Sequence, residues 1–517
     1  MTIKELKPAL IWSIFDEITK VPRPSKKEEK IRNFLLDFAK KHNLEVKTDA
    51  IGNVAMFKPA TPGCESAPGV ILQGHMDMVC EKNSDVKHDF DNDPIETIID
   101  GEWVHANGTT LGADNGIGMA AALAVLADDT LVHGPVQGLF TVDEETGLTG
   151  AFNLGEGMLK GDILLNLDSE DEAELFIGCA GGIDTTCTFT YTPEAAPAGY
   201  QYFTVDFKGM QGGHSGSDIN AGRACANKCL VRYLWALQQK MDVALAEIHG
   251  GNLRNAIARE AGATFGVPAD KKEEARVMLN TLIADLEGEY EGVEKFDITL
   301  ASVDAPATVI DNTTATNLVA AMLACPHGVI SMSKELEGLV ETSTNLASVK
   351  MLEGNQILVT TSQRSSVESR KFDIAHTVES VFRLAGAKVT HGDGYNGWKP
   401  NMNSKVLKTA IKAYEDLYNV TPAVKAIHAG LECGLFLNVN PKLDVISFGP
   451  TLRNVHSPRE MMHIPAVEKF WNHIARILEM IAKGESHLII YGTANDAFLR
   501  ARQSLFSTPR SYTDLQR

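Results

Sequence analysis

Long apolar runs are missing from this chain of 517 residues. No stretch approaches the roughly 20 residues that span a bilayer. The opening stretch "MTIKELKPALIWSIFDEITK" reads as an amphipathic helix pattern interrupted by charge, without the apolar segment and cleavage site of a secretory leader. Paired cysteines are missing as well. The eight cysteines are scattered without a C-x-x-C pair, which excludes a disulfide framework. Cys225 and Cys229 lie one helical turn apart and read as a packed helix face. Positive charge is in deficit, 48 Lys and Arg against 67 Asp and Glu, a net charge of −19. Nucleic acid and anionic membrane surfaces are therefore not expected partners. The sequence also has no glycine-rich loop of the P-loop kind to cradle a phosphate. A cytoplasmic, reduced protein is expected.

What is present is a globular composition, 44% apolar and 22% charged, in a chain too long for one core. Ser25 and Glu28 have the spacing of a capping box ahead of "EKIRNFLLDFAKKH", an amphipathic helix. Short apolar runs at 69–74, 136–142, 162–167 and 443–449 read as buried strands. "GIGMAAALAVLADD" reads as a buried helix and "AVEKFWNHIARILEMIAK" as a final one. Apolar strands separated by helices predict an α/β sheet covered on both faces. Between about 200 and 390 the strands become more polar and alternate, in an order that predicts a doubled ferredoxin-like α+β domain. Glycine-rich joints flank that block. The expected division is a catalytic α/β domain in two parts, 1–183 and 392–484, interrupted by an inserted domain at 184–391. The tail at 485–517 has no coherent period and is left unassigned.

The ends of the apolar strands carry the chemistry. In "GHMDMV", His75 and Asp77 share a face of extended backbone, so the carboxylate can sit beside the imidazole. That is how a metal-bound histidine is oriented, although H-x-D alone is equally a surface pair. In "TTLGADNGIG", Asp114 stands between glycines ahead of the buried helix, where an N-cap is the plainer reading. "TVDEETG", "LNLDSED" and "RNVHSP" place Glu144 and Glu145, Asp168 and His456 beyond further strands. Ligands of open α/β sheets bind outside the carboxyl ends of the strands. Two imidazoles and three carboxylates, from His75, Asp114, Glu145, Asp168 and His456, suit two zinc-like ions sharing one carboxylate. The residues alone do not say which ligand serves which ion. Asp143, between the strand and the two glutamates, has no assigned part and is expected to face solvent.

Taken in order, "GHMDMV", "TTLGADNGIGMA", "VDEETG", "DILLNLDSE", "GGHSG", "GGNLRNAI" and "HAGLECGLF" resemble the bacterial aminoacyl-histidine dipeptidases. That family lies in the clan of glutamate carboxypeptidases, aminoacylases and carnosinases, and the resemblance runs from residue 1 to about 483. It implies a di-zinc aminopeptidase-like catalytic domain with the inserted domain as lid and dimerisation surface. Asp114 would bridge two Zn²⁺ ions, with Co²⁺ or Mn²⁺ as possible replacements. His75 and Asp168 would complete one ion, Glu145 and His456 the other. Asp77 would orient His75, and Glu144 would be the general base acting on a water shared by the ions. His214 of "GGHSG" would stabilise the oxyanion, reaching the other subunit of a homodimer; read alone it is a loop histidine capping a helix. Arg364, Asn255, Gly430 and Glu432 would contact the dipeptide, although Ala258 stands where relatives usually carry proline. The implied reaction is hydrolysis of Xaa-His dipeptides, β-alanyl-histidine among them. The alternative is an N-acyl-amino-acid deacylase or a broad di/tripeptidase.

Overall fold

The computed structural model describes residues 2–485. Among them the chain forms two compact units. One comprises the residues up to Glu174, Asn403–Ala423 and the chain from Leu443 onward; the other comprises Leu175–Met402 and Val424–Lys442. The unassigned tail falls, but for its first residue, outside the described residues.

In the first unit the strands run side by side in the order Glu45–Thr48, Val54–Lys58, Val136–Thr141, Val70–His75, Ile163–Asn166 and Asp444–Ser447. The last four are mutually parallel. Every residue of Val70–His75 and of Val136–Thr141 is buried, as expected of strands covered on both faces. Register brings their ends level, with His75 opposite Thr141, Gln73 opposite Asn166, and Ser447 opposite Asn166. The loops leaving these four strands therefore open on one edge of the sheet.

The helix Ala113–Ala127 packs on the strand Val70–His75 with a surface of small side chains. Two glycines make that approach possible. A Cβ on Gly74 would lie 2.2 Å from Asn115 Oδ1, and one on Gly118 would lie 2.5 Å from the Leu167 carbonyl. A four-stranded antiparallel sheet completes the unit in the order Leu452–Arg453, Met461–His463, Trp103–Ala106 and Thr97–Asp100. The loop between its first two strands carries His456.

The second unit contains a sheet ordered Asp297–Val303, Tyr200–Lys208, Ala261–Pro268, Ala244–Gly250, Val340–Leu352, Gln356–Ser365, Gly181–Thr190 and Lys388–His391. Its first four strands, with helices Ala226–Gln238 and Lys272–Glu289, make one β-α-β-β-α-β pattern in the spatial order 4-1-3-2. The other four, with helices Asn312–Ala324 and Glu368–Leu384, repeat it in the order 2-3-1-4. The first strand of the second repeat, Gly181–Thr190, precedes the whole first repeat along the chain. One repeat is thus inserted in the other, and their second strands meet at the centre.

Two local expectations change. The helix begins at Glu29 with Glu28 ahead of it, but no capping box forms. Ser25 Oγ donates to Asp77 Oδ2 at 2.8 Å, and Glu28 Oε1 accepts from the backbone of Lys26 and of Asp143. Tertiary partners have taken both side chains away from the local motif. Asp143 is 4% exposed rather than solvated. Its carboxylate accepts from the hydroxyls of Thr146 and Thr149, so the DEETG turn is closed on itself.

Candidate metal centre

His75 ends its strand, and Asp77 follows with Oδ1 at 3.2 Å from His75 Nδ1. The same carboxylate accepts from two consecutive backbone amides, Glu144 N at 3.0 Å and Glu145 N at 3.2 Å. One buried side chain thereby lies beside an imidazole and holds the turn that carries both glutamates. Burial opposes charge at Asp77, but His75, the Glu144 amide and the Ser25 hydroxyl keep its carboxyl down at about 2.

Asp114 is not an N-cap. Gly112 takes the left-handed conformation at the cap position, with φ of 68°, and Asp114 itself has φ −81° and ψ 113°, outside the helical range. The bend turns both carboxylate oxygens toward imidazoles. Oδ1 lies 3.1 Å from His75 Nε2, and Oδ2 lies 3.0 Å from His456 Nε2. Each Nε2 has one further carboxylate, Asp168 Oδ1 at 3.4 Å for His75 and Glu145 Oε2 at 3.1 Å for His456. The five side chains therefore form two half-sites joined through Asp114.

The electrostatics follow from crowding acids in a buried place. Hydrogen bonds from the imidazole to the Asp114 and Glu145 carboxylates raise the His456 pKa to about 11 against the effect of burial. Burial pushes Asp168 up to about 7 against the pull of His75. Burial works against charge on His75 too, yet Asp168, Asp114 and Asp77 hold it well above its ordinary value. The pocket favours positive charge wherever a group can supply it. Glu145 Oε1 is buried without a hydrogen-bond partner, and donor atoms of His75, Asp114 and Glu145 lie within 4.8 Å of one another. Oxygen and imidazole donors in this arrangement fit a pair of divalent cations of the zinc, manganese or cobalt kind.

Three supporting residues were not assigned to the site from the sequence. Glu460 accepts from four consecutive backbone amides, Leu111, Gly112, Ala113 and Asp114, at 2.7, 2.9, 2.8 and 3.3 Å. It fixes the loop that presents Asp114. Arg23 donates to the carbonyls of Met76 and Asp77, at 3.2 and 2.6 Å, and to that of Gly112, tying the two ligand-bearing loops together. Glu28, through Asp143 N at 3.0 Å, holds the start of the DEETG turn. The signal that could have exposed Glu460 is its place four residues after His456, on the same hairpin. Glu460→Gln turns an amide NH₂ against backbone N–H donors. It is expected to cost about 1–3 kcal/mol of stability, read by denaturant unfolding, and to weaken metal binding.

The remaining expected site residues lie together in the second unit. His214 pairs through the short ladder of Gly213–His214 with Ala256–Ile257. It caps no helix. Its Nδ1 instead accepts from the backbone of Gly216 and Ser217, at 3.2 and 3.1 Å, and burial lowers its pKa. The neutral ring then carries its proton on Nε2. Arg364 is 7% exposed, donates through Nη1 to Tyr395 Oη at 2.7 Å and through Nε to Ser215 Oγ at 3.3 Å, and pairs with no carboxylate among the described residues. Asn255 is exposed and its carbonyl accepts from Ser215 N at 2.8 Å. Glu432 is buried at the start of the helix Glu432–Val439. Gly430 leaves room for Tyr395, because a Cβ there would lie 2.9 Å from that ring. Tyr395, Ser215 and His428 were not singled out by the sequence. His428 is buried and shares a 2.7 Å hydrogen bond with Ser343 Oγ.

The sequence model of peptidase family M20/M25/M40 matches residues 71–480. The cytosol non-specific dipeptidase of Escherichia coli K12 is 44% identical over 480 residues, 93% of this chain and 99% of that protein. The crystal structure of aminoacylhistidine dipeptidase from Vibrio alginolyticus matches with a TM-score of 0.86 at 46% identity, covering 93% of this chain and 98% of that one. A tripeptidase from Staphylococcus aureus shares the fold, with a TM-score of 0.55 at 16% identity over 92% of this chain and 99% of that one.

Proposed function

The chain belongs to peptidase family M20/M25/M40, hydrolases of peptide bonds, and on that premise we propose that it is a dinuclear metal-dependent dipeptidase acting on Xaa-His dipeptides, β-alanyl-histidine included. The observation that carries the metal reading is Asp114, whose two oxygens each face the Nε2 of a different imidazole, each Nε2 having its own second carboxylate. His75 with Asp168 would hold one ion and His456 with Glu145 the other. Zinc is the assignment we favour among the cations that suit these donors.

Cations bound here would polarise the scissile carbonyl and make a nearby water more acidic. Glu144 is the general base: it takes the proton of the attacking water and returns it to the leaving amine. Its backbone is fixed by Asp77, which also orients His75, so base and ligand are set by one carboxylate. His214 offers Nε2–H to the developing oxyanion. In the homodimer we propose, formed through the inserted domain, His214 of one subunit serves the centre of the other. Arg364 grips the free carboxylate of the dipeptide; a guanidinium with only neutral partners keeps its charge for such a ligand. Gly430, Asn255 and Glu432 line the same substrate site. No helix among the described residues is long and apolar enough to cross a membrane, and a cytosolic setting, as in the name of the E. coli relative, is the one we propose.

The substrate reading is tested by hydrolysing β-alanyl-histidine, alanyl-histidine, a dipeptide without histidine and an N-acetyl amino acid side by side. Xaa-His dipeptides are expected to exceed the N-acetyl compound by about tenfold or more in kcat/KM. A faster N-acetyl substrate would make the protein a deacylase, and equal rates for all dipeptides would make it a broad dipeptidase.

A further inference from the structure

We propose that the Tyr395 hydroxyl is a specificity-determining group, donating its own proton to the terminal carboxylate that Arg364 grips. The inference rests on the reading of Arg364 as the carboxylate-binding residue.

Arg364 has five N–H donors. One goes to Tyr395 Oη and one to Ser215 Oγ. The two hydrogens of Nη2 and the second of Nη1 remain as a fork for a planar anion. Tyr395 accepts through its oxygen, so its own proton points away from Arg364. Burial raises the phenol pKa against the lowering effect of Arg364, and the group stays protonated at neutral pH. A neutral phenol leaves the guanidinium charge intact, whereas a carboxylate in its place would cancel it. In the proposal the guanidinium and the phenol each donate to that one carboxylate.

The position of the ring is specified from several sides. Tyr395 and Gly182 exchange backbone hydrogen bonds of 2.8 and 3.0 Å. Lys371, 1% exposed, donates through Nζ to the Tyr395 carbonyl at 2.7 Å. A Cβ on Gly182 would come within 2.7 Å of the ring and one on Gly430 within 2.9 Å. Two glycines and a buried lysine therefore set the phenol against Arg364. Packing alone would be met by phenylalanine; among the described residues the hydroxyl has Arg364 as its hydrogen-bond partner.

The experiment compares a dipeptide with its C-terminal amide on the wild-type enzyme and on Tyr395→Phe, each with metal content and thermal midpoint checked. Loss of a charge-assisted hydrogen bond is expected to lower kcat/KM for the free acid by about 10- to 100-fold, mainly through KM. The amide is expected to change by less than about threefold, because its neutral terminus makes no such bond. Equal losses on both substrates would mean a purely structural role and overturn the proposal, as would unchanged kinetics on the free acid. If the wild-type enzyme cleaved acid and amide equally well, the Arg364 reading would fail, and the proposal with it.

Discussion

Glu144→Gln is expected to lower kcat by about 10²- to 10⁴-fold with KM and metal content near wild type. The substitution preserves size and leaves the backbone untouched. Glu144 N still donates to Asp77 Oδ1, and the neighbouring Glu145 still faces His456. What disappears is the ability to accept a proton from water and return it to the amine. A residue that merely shaped the turn would tolerate the amide, and a metal ligand would lose ion content on substitution. Steady-state kinetics and elemental analysis of the same preparation separate the three roles. Wild-type turnover with metal bound would remove Glu144 from the mechanism.

Asp114→Ala is expected to be at least as damaging, by a different route. Among the described residues, Asp114 is the one side chain that approaches both imidazoles, at 3.1 and 3.0 Å. Without it, His75 retains Asp168 at 3.4 Å and His456 retains Glu145 at 3.1 Å, two donors in each half-site. Structural and catalytic zinc sites use three or four protein ligands. Bound metal should therefore fall below two ions per chain, and turnover should fall with it by about 10³-fold or more. Retention of two ions at wild-type affinity would exclude a bridging role for Asp114.

The acidic and histidine cluster was legible in outline because His75 ends one apolar strand while Glu145 and Asp168 come four and two residues past two others. His75 ends, and Glu145 and Asp168 follow, strands whose register brings their ends level. The pairing of ligands was a different matter. It depends on how Asp114 turns its carboxylate, and the conformation at Gly112 and Asp114 has no signature beyond the glycines themselves. Glu460 was invisible because its partners are backbone amides 346 to 349 residues earlier in the chain. Asp143 and the Ser25–Glu28 pair were misread for one reason. Local rules assign polar side chains to solvent or to nearby amides, while here buried ligand loops draw on them as partners.

The doubled pattern of the second unit was legible as an order of strands and helices. Its interleaving was not, because sequence order alone does not say that Gly181–Thr190 pairs with Gln356–Ser365. Tyr395 lies in a glycine-rich stretch that reads as a joint. Its part emerges only when Gly182, Gly430 and Arg364 are seen around one ring.

The central claim is that five side chains hold two cations through a shared carboxylate. Anomalous diffraction from metal-loaded crystals, with a dipeptide analogue bound, tests it most directly. Two peaks about 3.5–4 Å apart are expected, one beside His75 and Asp168, the other beside His456 and Glu145, with Asp114 between them. A single peak, or two peaks with Asp114 bound to neither or only one, would contradict it.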